Sequence, residues 1–151
     1  HPPPGAPMNK PADMAEAYIR FYETMTPESL ARLTELVTPE IHFVDPFNDV
    51  TGIEPMRRIL AKMFADLAEP RFAVTHRAWG GDVCFLRWRF TARGKNGGAE
   101  WVIEGMSELR FAADGKVASH VDYWDSGRQF YEKLPLLGSV LRLIRRRLAA
   151  G

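Results

Sequence analysis

At Pro70 the hydrophobic period of this chain changes, and that change restricts its fold more than any other feature. Before it apolar residues recur at helical spacing; after it they alternate. Met14, Ala17, Tyr18, Phe21 and Met25 share one face of a predicted helix over 13–25, with Tyr22 on its flank. Thr26-Pro27-Glu28-Ser29 predicts a restart: Thr26 caps, Pro27 occupies the first turn, and Ser29 stands at the capping-box distance. The second helix buries Leu30, Leu33, Leu36 and Val37, and Thr38-Pro39-Glu40 ends it. A third runs over 53–67, with Met56, Ile59, Leu60, Met63, Phe64 and Leu67 on one side, and Pro70 stops it. Strand-like runs follow at 71–79, 83–92, 99–112 and 116–124, parted by glycine-containing turns. Helices first and a meander after specify an α+β fold, an antiparallel sheet with helices on one face.

The strand faces are readable. Leu86, Trp88 and Phe90 alternate with Arg87 and Arg89, so the apolar set faces inward. In the next run Trp101, Ile103, Gly105, Ser107, Leu109 and Phe111 form the inner face, with Ser107 its polar exception. In the last run His120, Asp122 and Trp124 share one side and Val121, Tyr123 and Asp125 the other; the pattern leaves open which side is inner.

Between the second and third helices lies a short apolar strand, with Ile41, Phe43 and Asp45 on one face and His42 and Val44 on the other. It ends in an Asp45-Pro46 corner, where the proline removes a ladder donor and keeps Asp45 extended. Two readings stand. Asp45 or Asn48 is a turn or cap residue for the helix that follows; or Asp45 is a base at the wall of an apolar cavity.

A length of 151 residues fits one domain with its own core. A net charge of +1 supplies no field for nucleic acid. One cysteine, Cys84 in an apolar run, excludes an internal disulfide and reads as core. No apolar run reaches membrane-spanning length, and no signal peptide is visible, so the expected location is cytoplasmic. Residues 1–7, rich in proline, read as an added or disordered lead before a start at Met8; a core domain over 8–134 and a basic amphipathic helix over 135–151 complete the division. Residues 126–133 predict a short helix, 134–138 a break, and 139–148 an amphipathic helix with Val140, Leu143, Ile144 and Leu148 against Arg142, Arg145, Arg146 and Arg147.

This order of helix, helix, Asp-Pro corner, helix and meander resembles the nuclear transport factor 2-like superfamily, and within it the SnoaL-like and ketosteroid isomerase-like proteins. The resemblance spans about residues 14–134 and implies a cone of curved sheet wrapped round N-terminal helices, a cystatin-like α+β barrel. In ketosteroid isomerases the general base sits at the corner matched by Val44-Asp45-Pro46-Phe47. Phe21 falls at the position of their oxyanion-hole tyrosine, with Tyr22 adjacent and Tyr18 one turn back, and Ser107 at that of their protonated aspartate. A phenyl ring and a serine make a much weaker hole than two acidic donors. The limonene epoxide hydrolases offer a second match: Val121-Asp122-Tyr123-Trp124-Asp125 is similar to the segment carrying their last catalytic aspartate, with Asp122 in register. Their other two polar positions fall near Leu86 and Trp88.

Both matches imply that His120, Asp122 and Trp124 face inward, and that Asp45 and Asp122 share a cavity lined by Tyr18, Phe21, Met63, Trp88, Ser107 and Trp124. Two carboxylates in an apolar cavity raise at least one pKa, which suits proton abstraction or delivery. The expectation is a pocket for a small, largely apolar organic ligand, and an isomerase, cyclase or dehydratase needing no cofactor and no metal. Asp45 would be its base, Asp122 with His120 the orienting group or second proton source, and Tyr18 or Tyr22 the donor to an oxyanion. The alternative is a binding or accessory protein with the same cavity. His42 and His76 read as surface or structural, with no metal-like spacing. The resemblance also implies a homodimer through the outer sheet face, where Arg87, Arg89, Glu104, Glu108 and Arg110 offer complementary charge. The C-terminal helix either packs on its own domain or on a dimer partner, with its arginines solvated, or makes peripheral contact with an anionic membrane.

Overall fold

The computed structural model describes residues 10–149; the lead over 1–7 and the start at Met8 lie outside the described residues. Helix α1 (Pro11–Glu23) is followed by a 3-10 turn (Glu28–Arg32) and the one-turn helix α2 (Leu33–Leu36). Strands β1 (Val37–Val44) and β2 (Asp49–Thr51) precede helix α3 (Ile53–Asp66). Then come β3 (Leu67–Gly80), β4 (Val83–Gly94), β5 (Gly97–Phe111) and β6 (Val117–Tyr123). The short helix α4 (Ser126–Gln129), a 3-10 turn (Tyr131–Lys133) and helix α5 (Pro135–Leu148) end the described chain.

The strands form one six-stranded sheet in the order β2-β1-β6-β5-β4-β3. All pairs are antiparallel except β1 with β6, so the sheet is mixed, curved and unclosed, with α1 and α3 packed inside its curve. This is the α+β cone expected. The core joins Tyr18, Ile19 and Phe21 of α1, Met56 and Leu60 of α3, and Ile41, Cys84, Leu109 and Val117 of the sheet. Beneath α1, Thr26 and Ser29 each accept the other's backbone N–H through their side-chain oxygens, the reciprocal cap that their spacing predicts.

Several boundaries differ from the sequence reading. The second helix is only a 3-10 turn and one α turn, because β1 starts at Val37 and takes Thr38-Pro39-Glu40 into the strand. Pro70 does not stop α3, which ends at Asp66; it lies within β3, an edge strand whose pairing slips between Ala68 and Arg71, where a missing N–H costs little. The segment after Asp45 holds a strand that was not foreseen, β2, paired as His42↔Thr51 and Val44↔Asp49. Gly52, at φ +110°, lets the chain leave β2 and enter α3 while its N–H bonds the Ile41 carbonyl at 2.8 Å. The predicted break at 134–138 shrinks to Leu134, since Pro135 takes the first position of α5, where a proline is tolerated, and the helix runs through Gly138.

One side chain extends the sheet. Strand β6 pairs with β5 only as far as Tyr123↔Met106, leaving the backbone of Glu104 without a strand on that side. The Gln129 amide fills the place: its Oε1 accepts from Glu104 N at 2.7 Å and its Nε2 donates to Glu104 O at 3.0 Å. This clamp fixes the neighbouring Phe130 against Trp101 and Phe47, with ring centroids 5.7 and 5.2 Å away. Gln129→Ala should speed hydrogen exchange at the Glu104 amide by about fivefold to tenfold, the population change expected for one net hydrogen bond. Amide exchange followed by NMR measures it, with the amide of Leu109 as unchanged reference.

Candidate functional site

The Asp-Pro corner is the tip of the β1–β2 hairpin. Asp45 N donates to Asn48 O at 2.9 Å and Asn48 N to Asp45 O at 3.3 Å, with Pro46 and Phe47 as the central turn residues. The Asp45 carboxylate folds back into this turn: Oδ1 accepts from Phe47 N at 2.8 Å, Asn48 N at 2.7 Å and Asn48 Nδ2 at 3.1 Å. Oδ2 accepts only from Asn48 Nδ2, at 3.2 Å. Asp45 is therefore a turn residue, as one reading held, though it caps the hairpin and not α3. It also borders a cavity, so the two readings are compatible.

That cavity, of about 670 Å³, lies between the inner sheet face and α3. Its wall is mostly apolar, with Phe43, Phe72, Trp88, Phe90 and Ile103 from strands and Ile59, Leu60 and Met63 from α3. Asp45, Asn48 and Asp122 supply polar groups at one end, Lys62 and Asp66 at another, and Phe47, Trp101, Trp124, Phe130 and Tyr131 complete the lining. Asp45 and Asp122 also face a shallower groove with Val44, Pro46 and Trp124.

Asp122 ends a buried polar chain. Tyr18 Oη lies 2.7 Å from His120 Nδ1, and His120 Nε2 lies 2.6 Å from Asp122 Oδ1. Ser107 Oγ donates to the same oxygen at 2.5 Å and accepts from Trp88 Nε1 at 2.8 Å. A carboxylate only accepts, and burial drives the Tyr18 phenol far above its ordinary 10.0, with the charge of Asp122 adding to the rise. The phenol thus stays protonated; His120 Nε2 donates to the carboxylate, and in that tautomer Nδ1 accepts from the phenol. Every donor points toward Asp122 Oδ1, and among the described residues Oδ2 accepts no hydrogen bond.

Asp45 titrates above its ordinary 3.8. Burial is the largest cause and outweighs the turn hydrogen bonds that oppose it, and the charge of Asp122 raises it further. Tyr22 is also pushed up, by burial first and then by Tyr18 and Asp122. Its hydroxyl is buried and interacts with that of Tyr18, but no hydrogen bond of good geometry satisfies it among the described residues.

The inner face of β6 is the one that the family resemblance implied: His120 is buried, and Asp122 and Trp124 line the cavity. Tyr22, Met63 and Trp88 are also in its wall, whereas Tyr18, Phe21 and Ser107, expected there, lie behind it. Phe21 packs edge-on to Tyr22 with centroids 5.7 Å apart, Tyr18 is committed to His120, and Ser107 is covered by the Trp88 indole. His42 pairs with Asp49 at the surface, His76 is exposed, and Cys84 is buried in the core. Arg87 pairs with Glu104, and Arg110 with Glu108, on the outer sheet face. Among the described residues no three His, Cys, Asp or Glu side chains converge as metal ligands.

Sequence reasoning missed Phe47, Phe130 and Tyr131, whose convergence over the cavity depends on the hairpin and the Gln129 clamp. It also missed Gly105. A Cβ there would lie 2.6 Å from Trp88 Cη2 and 2.9 Å from Trp124 Cβ, so only glycine lets the indole cross β5 to reach Ser107. Gly105 stands directly opposite Trp88 in the β4–β5 register, the signal that pattern reading lacked.

A SnoaL-like domain family model matches residues 18–120, and the chain belongs to that family. Solved structures with the same fold include an NTF2-like protein from Exiguobacterium sp. 255-15, 19% identical with a TM-score of 0.65, over 74% of this chain and 98% of that one. A putative SnoaL-like polyketide cyclase from Jannaschia sp. CCS1 is 17% identical with a TM-score of 0.62, over 82% and 92%. TerC, co-crystallised with polyporic acid, is 15% identical with a TM-score of 0.65, over 77% and 92%. No curated protein sequence matches the chain.

Two outcomes follow from this geometry. Gly105→Ala should pull the Trp88 indole off Ser107 and cost about 1–3 kcal/mol by overpacking, read from the Trp88 indole N–H resonance and from urea unfolding. Asp45→Asn keeps the turn acceptor and removes the titration. Well below pH 3.8 the wild-type carboxyl is protonated in both states; as pH rises, the unfolded chain ionises first and the fold loses stability until the raised pKa is passed. The stability of Asp45→Asn relative to wild type should therefore increase with pH through that window and level off above it, measured by urea unfolding at a series of pH values.

Proposed function

We propose that this SnoaL-like protein is a cofactor-independent acid–base enzyme acting on a small, largely apolar carbonyl compound, in the manner of a cyclase or isomerase. The observation that carries the reading is the pair of carboxylates, Asp45 and Asp122, at the polar end of an otherwise apolar cavity of about 670 Å³. Each has one oxygen held by fixed donors and a second with little or no bonding. Asp45, with its raised pKa, is the base. It takes a proton from a carbon next to the carbonyl, the C–H electron pair moves into the new C=C bond, and charge builds on the carbonyl oxygen.

Tyr22, whose hydroxyl makes no well-formed hydrogen bond within the protein, turns from Tyr18 and donates to that oxygen. Protonated Asp45 then returns its proton, either to another carbon of the same system, which is isomerisation, or to the alkoxide formed when the enolate carbon attacks a second carbonyl, which is cyclisation. Asp122 orients the ligand through Oδ2 while His120, Ser107 and Tyr18 hold it in place; Tyr18 is a positioning residue and Tyr22 the donor. The Jannaschia neighbour, named a putative SnoaL-like polyketide cyclase, and TerC, co-crystallised with polyporic acid, support this substrate class.

A second reading, non-catalytic binding of such a ligand, is favoured by the turn hydrogen bonds that already occupy Asp45 Oδ1. Deuterium incorporation from solvent into an aryl β-keto ester distinguishes the two. Catalysis above the buffer rate that falls by about 10²–10⁴-fold in Asp45→Asn supports the enzyme. Saturable binding of the same ester with exchange at the buffer rate supports the binder. Carboxylate-detected NMR supplies the electrostatic check: Asp45 should titrate above 3.8, and Asp122→Asn should lower its pKa by removing a neighbouring charge.

A further inference from the structure

Helix α5 leaves an apolar face uncovered. Leu136 and Leu148 are 82% and 81% exposed, and Leu137, Val140, Leu143 and Ile144 between them are about half exposed. On a 3.6-residue period these six residues fall within one arc of the helix, which only Arg147 enters, near the C-terminal end, while Arg142, Arg145 and Arg146 lie outside it. Among the described residues, the only element against which α5 makes extensive contact is the 3-10 turn just before it. No acidic residue occurs between Pro135 and Leu148, whereas Arg142, Arg145, Arg146 and Arg147 do. Arg142 donates to Ser139 at 3.2 Å, and Arg146 and Arg147 are exposed.

Charge is segregated along the chain. The whole carries +1, and α5 accounts for four positive charges, so the remainder is net −3. An occupant of the α5 face must therefore cover an apolar stripe and also complement arginines. A second acidic body satisfies the charge but brings carboxylates to the leucines. An anionic bilayer supplies acyl chains to one side of the helix and phosphate to its flanks, and it repels the acidic body so that α5 alone faces it.

We propose that α5 docks the protein peripherally on anionic phospholipid membranes, lying in the interface with its leucine face in the acyl boundary. No helix among the described residues is long and apolar enough to cross a membrane, so this contact is interfacial. It stands on α5 alone and does not depend on what the cavity binds. Phe130 and Tyr131, in the cavity lining, lie within a few residues of the start of α5, so docking brings that part of the lining close to the membrane.

Flotation of the full chain with vesicles tests this. The protein should float with phosphatidylcholine vesicles containing phosphatidylglycerol, float poorly with phosphatidylcholine alone, and be released by salt. Arg146→Ala with Arg147→Ala should weaken binding about fivefold per arginine, and Leu143→Asn with Ile144→Asn should abolish it. All four residues are exposed, so both variants should keep the wild-type circular dichroism and unfolding midpoint. Absence of flotation at low salt overturns the proposal, as does flotation that loss of the arginines leaves unchanged. A dimer that Leu143→Asn with Ile144→Asn dissociates, with no flotation, also overturns it and assigns the face to a second copy.

Discussion

The hydrogen bond between Tyr18 and His120 joins two parts of the molecule that the chain separates by 102 positions. Tyr18 is fully buried on α1, and His120 is buried on β6. Neither can reach water, so each must find its partner inside or leave a polar group unsatisfied, at about 1–3 kcal/mol. The pairing sets the rotation of α1 against the sheet. It also fixes the His120 tautomer and, through it, the orientation of Asp122. The site geometry is in this sense a by-product of satisfying a buried helix–sheet contact.

The second branch of the chain has a different origin. Trp88 reaches Ser107 because Gly105 leaves room for the indole to cross β5. The bulky side chain thereby closes the inner face and delivers its N–H, which aromatic burial requires, to a serine that passes a proton donor on to Asp122. Packing and polar satisfaction are met by the same residue, and removing the glycine breaks both. The two branches converge on a single oxygen, and among the described residues the other accepts no hydrogen bond.

Much of this was legible in the sequence because it rests on periodicity. The change from a 3.6-residue to a two-residue repeat after α3 marked the α+β order, and alternation located the inner faces of β4 and β5. For β6 both faces carry apolar and polar residues, so alternation alone was ambiguous; the family resemblance resolved it, and the burial of His120 agrees. What pattern reading could not see depends on contacts between distant segments. The lining by Phe47, Phe130 and Tyr131 requires the hairpin turn and an amide standing in for an absent strand. Phe21 and Tyr22 are adjacent in sequence and about 100° apart on α1, so a one-residue choice decides which ring lines the cavity. Tyr22 does, and Phe21 lies behind it. The early start of β1 was hidden because Val37 is apolar at the helical spacing and also at the strand spacing.

Asp45 shows why turn residue and proposed base need not be competing descriptions. Hydrogen bonds from the turn lower its pKa and burial raises it, with burial the larger effect. A carboxylate held only by donors would be a weak base; one held only by burial would lack a fixed position. The Asp-Pro turn supplies position through Oδ1, and the cavity wall and Asp122 supply basicity. The proline that ends β1 is thus part of the same device, since it starts the turn that aims the carboxylate at the polar end of the cavity.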